Sequence, residues 1–156
     1  MKPLIVLIVS FIICILTLKL LKRKVDYKIS GRIAMSIMLI FTAMGHFIFS
    51  EGMAAMIPDF IPFKEGMIIV TGVLEILFAI GLLIPKYKTF SGWLLILFFI
   101  LVLPSNIKAA IEHVDYKTGL TDGPGLMYLW FRVPLQVFFI VWVYFFTIRD
   151  KKSYLK

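Results

Sequence analysis

The chain has one cysteine and few charged residues, and each shortage excludes a class of protein. Cys14 is the single cysteine among 156 residues, so neither an intrachain disulfide nor a CxxC redox pair can form. Charged residues make up 17% of the chain, against 61% apolar and 15% aromatic residues. A water-soluble domain of this size cannot bury so much apolar surface, so we expect lipid to be its solvent.

The sequence also lacks the common signatures of soluble enzymes and nucleic-acid binders. It contains no phosphate-binding loop, dinucleotide fingerprint or Ser–His–Asp set. The net charge of +8 is of the sign that suits nucleic acid. However, the basic residues form neither a continuous face nor an arm interleaved with aromatics, so no nucleic-acid partner is expected.

Five apolar segments are each close to 20 residues long, enough to cross a hydrocarbon core roughly 30 Å thick. They cover residues 3–21, 33–50, 66–85, 89–107 and 125–148. Helices satisfy their own backbone hydrogen bonds in lipid, so the predicted fold is an all-α polytopic membrane protein. Lys22-Arg23-Lys24 follows the first segment where a signal peptide would carry a cleavage site, which favours a retained helix.

Basic residues fall on alternate sides of the five spans. The segments at 22–32, 86–88 and 149–156, together with Lys19, hold twelve basic residues, whereas the opposite side holds four. By the positive-inside rule the N-terminus is predicted outside and the C-terminus in the cytoplasm, in a cell membrane.

The same pattern divides the chain into three parts. We expect an N-terminal transmembrane helix with a basic cytoplasmic loop at 1–28 and a four-helix membrane domain at 29–149. A basic cytoplasmic tail follows at 150–156.

Two predicted outer loops differ in character. Residues 51–65 are too apolar for a solvated loop and too short to span, so we expect an amphipathic or re-entrant piece broken by Pro58 and Pro62. Residues 108–124 are polar and end in the turn signal Thr-Asp-Gly-Pro at 121–124.

Polar residues inside the apolar segments are the candidate site. Four predicted helices bring them into the outer half of the bundle: His46, Glu75, Asn106, Arg132 and Gln136. A lone charge near the bilayer centre costs about 2.5–3.5 kcal/mol on insertion scales. Arg132 keeps its proton and Glu75 is the one acidic residue deep in a span, so a bidentate pair between them is predicted.

A purely structural role for this cluster stays open, because interhelical polar contacts often only fix helix register. Asn106, which follows Pro104, would serve to bridge carbonyls freed by a proline kink. Gln136 suits an interhelical tie as well as a ligand contact, and His46 suits a bond to a backbone carbonyl. An ionisable pair plus a histidine, however, exceeds what register alone requires.

No metal site is predicted. Glu112, His113 and Asp115 have metal-binding side chains, but in a polar loop we expect a solvated face. His46 and His113 are the residue type that ligates haem, yet nothing in their spacing requires it.

Five short motifs in series resemble the DoxX-like family of integral membrane proteins, which includes DoxX, DoxD and MauE types. The resemblance covers about residues 30–148. The motifs are Gly45-His46-Phe47, Met56-Ile57-Pro58 with Ile61-Pro62, Thr71-Gly72-Val73-Leu74-Glu75 with Gly81-Leu82-Leu83, Pro104-Ser105-Asn106-Ile107, and Arg132-Val133-Pro134-Leu135-Gln136 with Trp142.

The resemblance implies a four-helix membrane bundle to which the segment 3–21 adds an extra N-terminal transmembrane helix. It also implies that the five cluster residues are signature positions. Relatives of this type are associated with quinone-linked thiosulfate oxidation and redox-partner maturation, and others resemble chaperones for membrane proteins.

Two functions are therefore expected as alternatives. In the first, the chain is a small redox-linked membrane subunit whose cluster binds a quinone or similar apolar carrier. Arg132, Gln136 and His46 would donate to a quinone carbonyl, and Glu75 would take up a proton. No other cofactor is evident, so such a chain would act with a membrane or redox partner protein rather than as a self-sufficient enzyme. In the second, it is a non-catalytic binding or assembly module for a lipid or client protein.

Overall fold

The computed structural model describes residues 2–149, and this stretch is helical with short connections and no strand. The predicted tail at 150–156 lies outside the described residues. A π-helical turn at Tyr144–Ile148 continues the last α-helix. The helices are α1 (Lys2–Leu20), α2 (Tyr27–Ile48), α3 (Ser50–Ala54), α4 (Lys64–Leu83), α5 (Lys88–Leu101), α6 (Leu103–Ile111) and α7 (Leu126–Val143).

Five helical stretches are long and apolar enough to cross a membrane, which confirms the predicted all-α, multi-pass class. They are Lys2–Leu20, Tyr27–Ile48, Lys64–Leu83, Lys88–Ile111 and Leu126–Ile148. The second begins six residues before its predicted start because Asp26 caps it. The Asp26 carboxylate accepts from the backbone N–H of Lys28 at 2.9 Å and of Ile29 at 3.0 Å.

The fourth span is two helices rather than one, because α5 ends at Leu101 and α6 starts at Leu103. Pro104, in the first turn of α6, has no N–H to continue the hydrogen-bond series of α5. The break therefore leaves backbone carbonyls at the end of α5 that need other donors.

Helix α2 lies at the centre of the bundle, between α1 and α4. Helix α5 packs against α4 and α7, and α6 packs against α7. Helix α1 is peripheral, since Leu7 is its one fully buried side chain. Its Phe11 ring meets Trp142 edge-on at a centroid distance of 5.0 Å.

Small and hydroxyl-bearing residues let the central helices approach closely. The Ser36 hydroxyl of α2 donates to the Ala79 carbonyl of α4 at 2.8 Å. At Gly72 of α4, an added Cβ would lie only 3.0 Å from the Cβ of His46. Close contacts of this kind hold helices together where lipid removes the hydrophobic driving force.

Both predicted outer loops lie at one end of the bundle, which we call the loop end (residues 49–63 and 112–125). The Lys108 ammonium donates to the Ile57 carbonyl at 3.0 Å, and the Phe49 and Tyr116 rings meet edge-on at 5.8 Å. The two segments therefore pack on each other. The first contains the short helix α3 and ends its regular structure before Pro58.

Candidate functional site

The five polar residues predicted from the sequence lie together near the loop end, in two groups. His46 of α2 meets Glu75 of α4, and Asn106 of α6 meets Arg132 and Gln136 of α7. Arg132 lies within electrostatic range of both His46 and Glu75, which links the groups. Glu75, Asn106 and Gln136 are buried, at 6%, 7% and 8% exposure.

In the first group, hydrogen bonds fix the orientation of the His46 ring. The Thr71 hydroxyl donates to the Ile68 carbonyl at 2.8 Å and lies 3.0 Å from Nδ1 of His46. Because this hydroxyl has one hydrogen, its oxygen is left to accept from an Nδ1–H. His46 then directs its other ring nitrogen, Nε2, toward Glu75.

Oε2 of Glu75 lies 3.6 Å from Nε2 of His46, too far for a hydrogen bond. Among residues 2–149 it is the buried side-chain oxygen without a hydrogen-bond partner. The Thr42 side chain also approaches this carboxyl, but its hydroxyl is shared between the Met38 and Leu39 carbonyls at 3.2 and 3.0 Å. Leaving such a buried acceptor unpaired costs about 1–3 kcal/mol, so it calls for an explanation.

In the second group, the hydrogen bonds run in one direction. Arg132 Nε donates to Asn106 Oδ1 at 3.3 Å, and Asn106 Nδ2 donates to Gln136 Oε1 at 3.4 Å. Gln136 Nε2 in turn donates to the Phe99 carbonyl, which lies just before the break that Pro104 accompanies. Gln136 therefore satisfies a carbonyl near the end of α5, and Asn106 connects it to Arg132.

Arg132 has N–H donors that this series of hydrogen bonds does not use. Its guanidinium lies 5.3 Å from the centre of the Tyr128 ring, a favourable cation–π arrangement. The side chain is partly exposed, and a guanidinium carries five N–H donors. One of these is used on Asn106.

Aromatic rings border the cluster one helical turn further from the loop end. The Phe78 and Phe98 rings lie 5.7 Å apart, and the Phe99 and Phe139 rings lie 5.8 Å apart. Phe98 and Phe99 connect the two pairs at 6.2 Å. This series crosses from α4 through α5 to α7, so the polar groups face an apolar, aromatic wall.

The predicted direct pair between Glu75 and Arg132 is wrong. Within the described chain, the ionisable side chain that contacts Glu75 is His46, while Arg132 contacts Asn106 and Tyr128. The reason is the close packing of α2 on α4 at Gly72, which places His46 nearer to the carboxyl than any group of α7.

Three polar neighbours of the cluster were not predicted: Thr42, Thr71 and Tyr128. Each precedes a cluster residue by four positions, before His46, Glu75 and Arg132 respectively. Residues four apart share a helix face, so this spacing was the signal that could have identified them.

A charged group at the loop end lies outside the spans. The Asp59 carboxylate accepts from the ammonium of Lys64 at 2.6 Å and of Lys108 at 3.0 Å. These two hydrogen bonds are the main cause that lowers the pKa of Asp59 to about 2. Because Lys108 belongs to α6, Asp59 connects the first loop to the helix that carries Asn106.

The other sequence candidates do not join the cluster. His113 lies in the second loop with its ring against Gly125, and Glu112 contacts Lys108 at 3.6 Å. Within residues 2–149 no three His, Cys, Asp or Glu side chains converge as a metal site would require.

A groove of about 560 Å³ also lies at the loop end. It is lined by Ala54, Ala55, Phe63, Lys64, Glu65 and Gly66. Gly66 precedes Glu75 by nine residues, roughly 13.5 Å along the helix, so the groove is distinct from the cluster. We favour the cluster as the site because its polar groups converge and one of them lacks a partner.

A protein-family model matches residues 35–147, which is more than half of the chain. The family is described as a domain of unknown function, DUF8561. The chain belongs to this family. The DUF8561 match contains all five cluster residues and begins inside α2, so α1 lies outside it. No curated protein and no solved structure matches the chain.

Proposed function

We propose that this DUF8561 protein is a small redox-linked membrane subunit that binds a quinone or a similar apolar carrier at the polar cluster. The observation that carries the proposal is Glu75. Its carboxyl is buried among apolar helices, lies beside His46, and has an oxygen without a partner. Ionisable groups inside a membrane bundle are expensive to maintain, and they commonly mark ligand or proton sites.

The surroundings suit a flat, apolar ligand with polar edges. The phenylalanine series gives the cluster an apolar, aromatic border that suits the ring of such a ligand. Arg132 has further N–H groups for an oxygen of the ligand, and the His46–Glu75 pair is placed to hold or accept a proton. Gln136 and Asn106 then act chiefly by holding Arg132 in position.

The redox association rests on the resemblance to DoxX-like proteins, in which these five positions are the signature residues. We propose on the same ground that residues 29–149 form a DoxX-like bundle with α1 as an added helix. A membrane or redox protein would then be the source or acceptor of electrons.

We further propose that the loop end faces outside, in a cell membrane. The basic residues of the connections at 21–26 and 84–87 lie at the opposite end of the bundle, as the positive-inside rule requires of the cytoplasmic side. The cluster would then exchange protons with the extracytoplasmic side.

Titration of the purified protein with short-chain quinones tests this proposal, with thermal unfolding as the readout. We expect quinone to raise the unfolding temperature of the native chain, because binding to the folded state stabilises it. Glu75→Gln should remove most of that shift. Glu65→Gln, on the same helix but in the groove, is the matched control and should keep it.

Loss of the shift in Glu65→Gln alone would place the ligand in the groove instead. If no quinone raises the unfolding temperature of the native chain, the proposal is wrong.

An assembly module is the second candidate. The series from Arg132 to the Phe99 carbonyl is internally satisfied, as expected of structural hydrogen bonds. In addition, Phe60, Phe63 and Trp130 are more than four-fifths exposed at the loop end. Co-purification of one defined membrane protein, without any quinone effect, would favour this function.

A further inference from the structure

The unpartnered oxygen of Glu75 indicates whether the ligand group that contacts it is a hydrogen-bond donor or an acceptor. Oε2 is buried, and its nearest ionisable neighbour is Nε2 of His46 at 3.6 Å. Thr42 of α2 approaches the same carboxyl, and Arg132 of α7 acts on it only at longer range. No side chain in the described part of the bundle donates a hydrogen bond to this oxygen.

In the ionised carboxylate Oε2 is an acceptor only, so it requires a donor. The hydrogen of the Thr42 hydroxyl is directed to the Met38 and Leu39 carbonyls, so Thr42 does not supply this donor. Nε2 of His46, at 3.6 Å, is too far away to donate to Oε2.

Resting on the proposed function, we infer that the cluster binds the reduced carrier, a hydroquinone, more tightly than the corresponding quinone. A quinone carbonyl brings only lone pairs to Oε2. A hydroquinone hydroxyl supplies the missing O–H donor, and its oxygen still accepts from Arg132. A cationic donor fits less well, because Arg132 already places a positive charge within range of the site.

The hydroquinone is expected to bind more tightly because it alone satisfies the buried acceptor Oε2 of Glu75, whereas the quinone leaves it unpaired. A missing partner for a buried polar group weakens binding by roughly tenfold to a hundredfold. We therefore expect the hydroquinone to bind at least about tenfold more tightly than the quinone.

The test measures dissociation constants of the full-length protein in detergent under anaerobic conditions. The probes are a short-chain ubiquinone and a short-chain menaquinone, each as the quinone, the hydroquinone and the hydroquinone dimethyl ether. The dimethyl ether keeps the reduced ring but has no O–H donor, so we expect it to bind no better than the quinone. A hydroquinone preference in either series, lost in the ether, supports the inference.

Glu75→Gln adds a second comparison, since it removes the carboxylate that would accept from the hydroquinone hydroxyl. This variant should narrow the preference for hydroquinone, whereas Glu65→Gln should leave it unchanged. Equal binding of quinone and hydroquinone would overturn the inference while leaving the proposed function in place. If none of the probes binds, the proposed function itself fails. If Glu75→Gln does not fold, comparing the hydroquinone with its dimethyl ether on the native chain still tests the inference.

Discussion

Thr71 orients the histidine of the cluster, and its contribution can be measured directly. Thr71→Ala removes the hydroxyl that lies 3.0 Å from Nδ1 of His46. We expect a loss of about 1 kcal/mol of stability, together with weaker ligand binding because the ring is no longer held toward Glu75. Thermal unfolding and quinone titration measure the two effects.

Thr71→Ser keeps the hydroxyl and is the matched control for this prediction. It should bind ligand as the native chain does. If Thr71→Ala loses stability but binds ligand normally, the orientation of His46 has no part in recognition.

The residues of the site were predictable in identity but not in pairing. Ionisable and amide side chains are rare in apolar spans, so His46, Glu75 and Arg132 stand out in the sequence. Which of them meet depends on helix rotation and on the approach of α2 to α4 at Gly72. Neither property can be read from a single helix, because each arises from packing against a neighbour.

At the scale of elements, Asp59 connects the first loop to α6. Its pKa is lowered to about 2, chiefly by the hydrogen bonds from Lys64 and then Lys108. A depressed carboxyl pKa favours the folded state above the ordinary value near 4, and this effect is lost only as the pH falls through about 2. The connection should therefore be unchanged between pH 5 and 8.

Hydrogen exchange of the backbone amides in residues 53–61 tests this prediction. Protection, corrected for intrinsic rates, should stay constant from pH 5 to 8 and should fall in Asp59→Asn. Asp122→Asn, in the second loop, is the control. If the native chain loses protection in residues 53–61 between pH 5 and 8 while Asp59→Asn does not, Asp59 does not connect the first loop to α6 in the way described.

The spans were predictable because hydropathy and length are properties of the sequence alone. The start of α2 was placed too late, although Asp26 is a residue type that commonly caps helices. The division of the fourth span into α5 and α6 was missed, because proline inside an apolar run is compatible with both a kink and a break. The contact between the two loops depends on the assembled bundle.

For the whole molecule, the proposed function requires one orientation in the membrane. Five spans place the N-terminus and C-terminus on opposite sides, and the distribution of bases predicts a cytoplasmic C-terminus. A C-terminal fluorescent reporter that matures only in the cytoplasm should fluoresce. A C-terminal phosphatase that is active only outside should be inactive. The opposite result would turn the loop end and its cluster toward the cytoplasm.

The most direct test of the central claim is photolabelling of the native protein with a short-chain azidoquinone, followed by mapping of the adducts. We expect adducts on the segments of α2 and α4 around His46 and Glu75, and fewer of them in the presence of excess hydroquinone. Adducts confined to the groove at 54–66, or to α1, would contradict the claim that the buried carboxyl and its histidine form the ligand site.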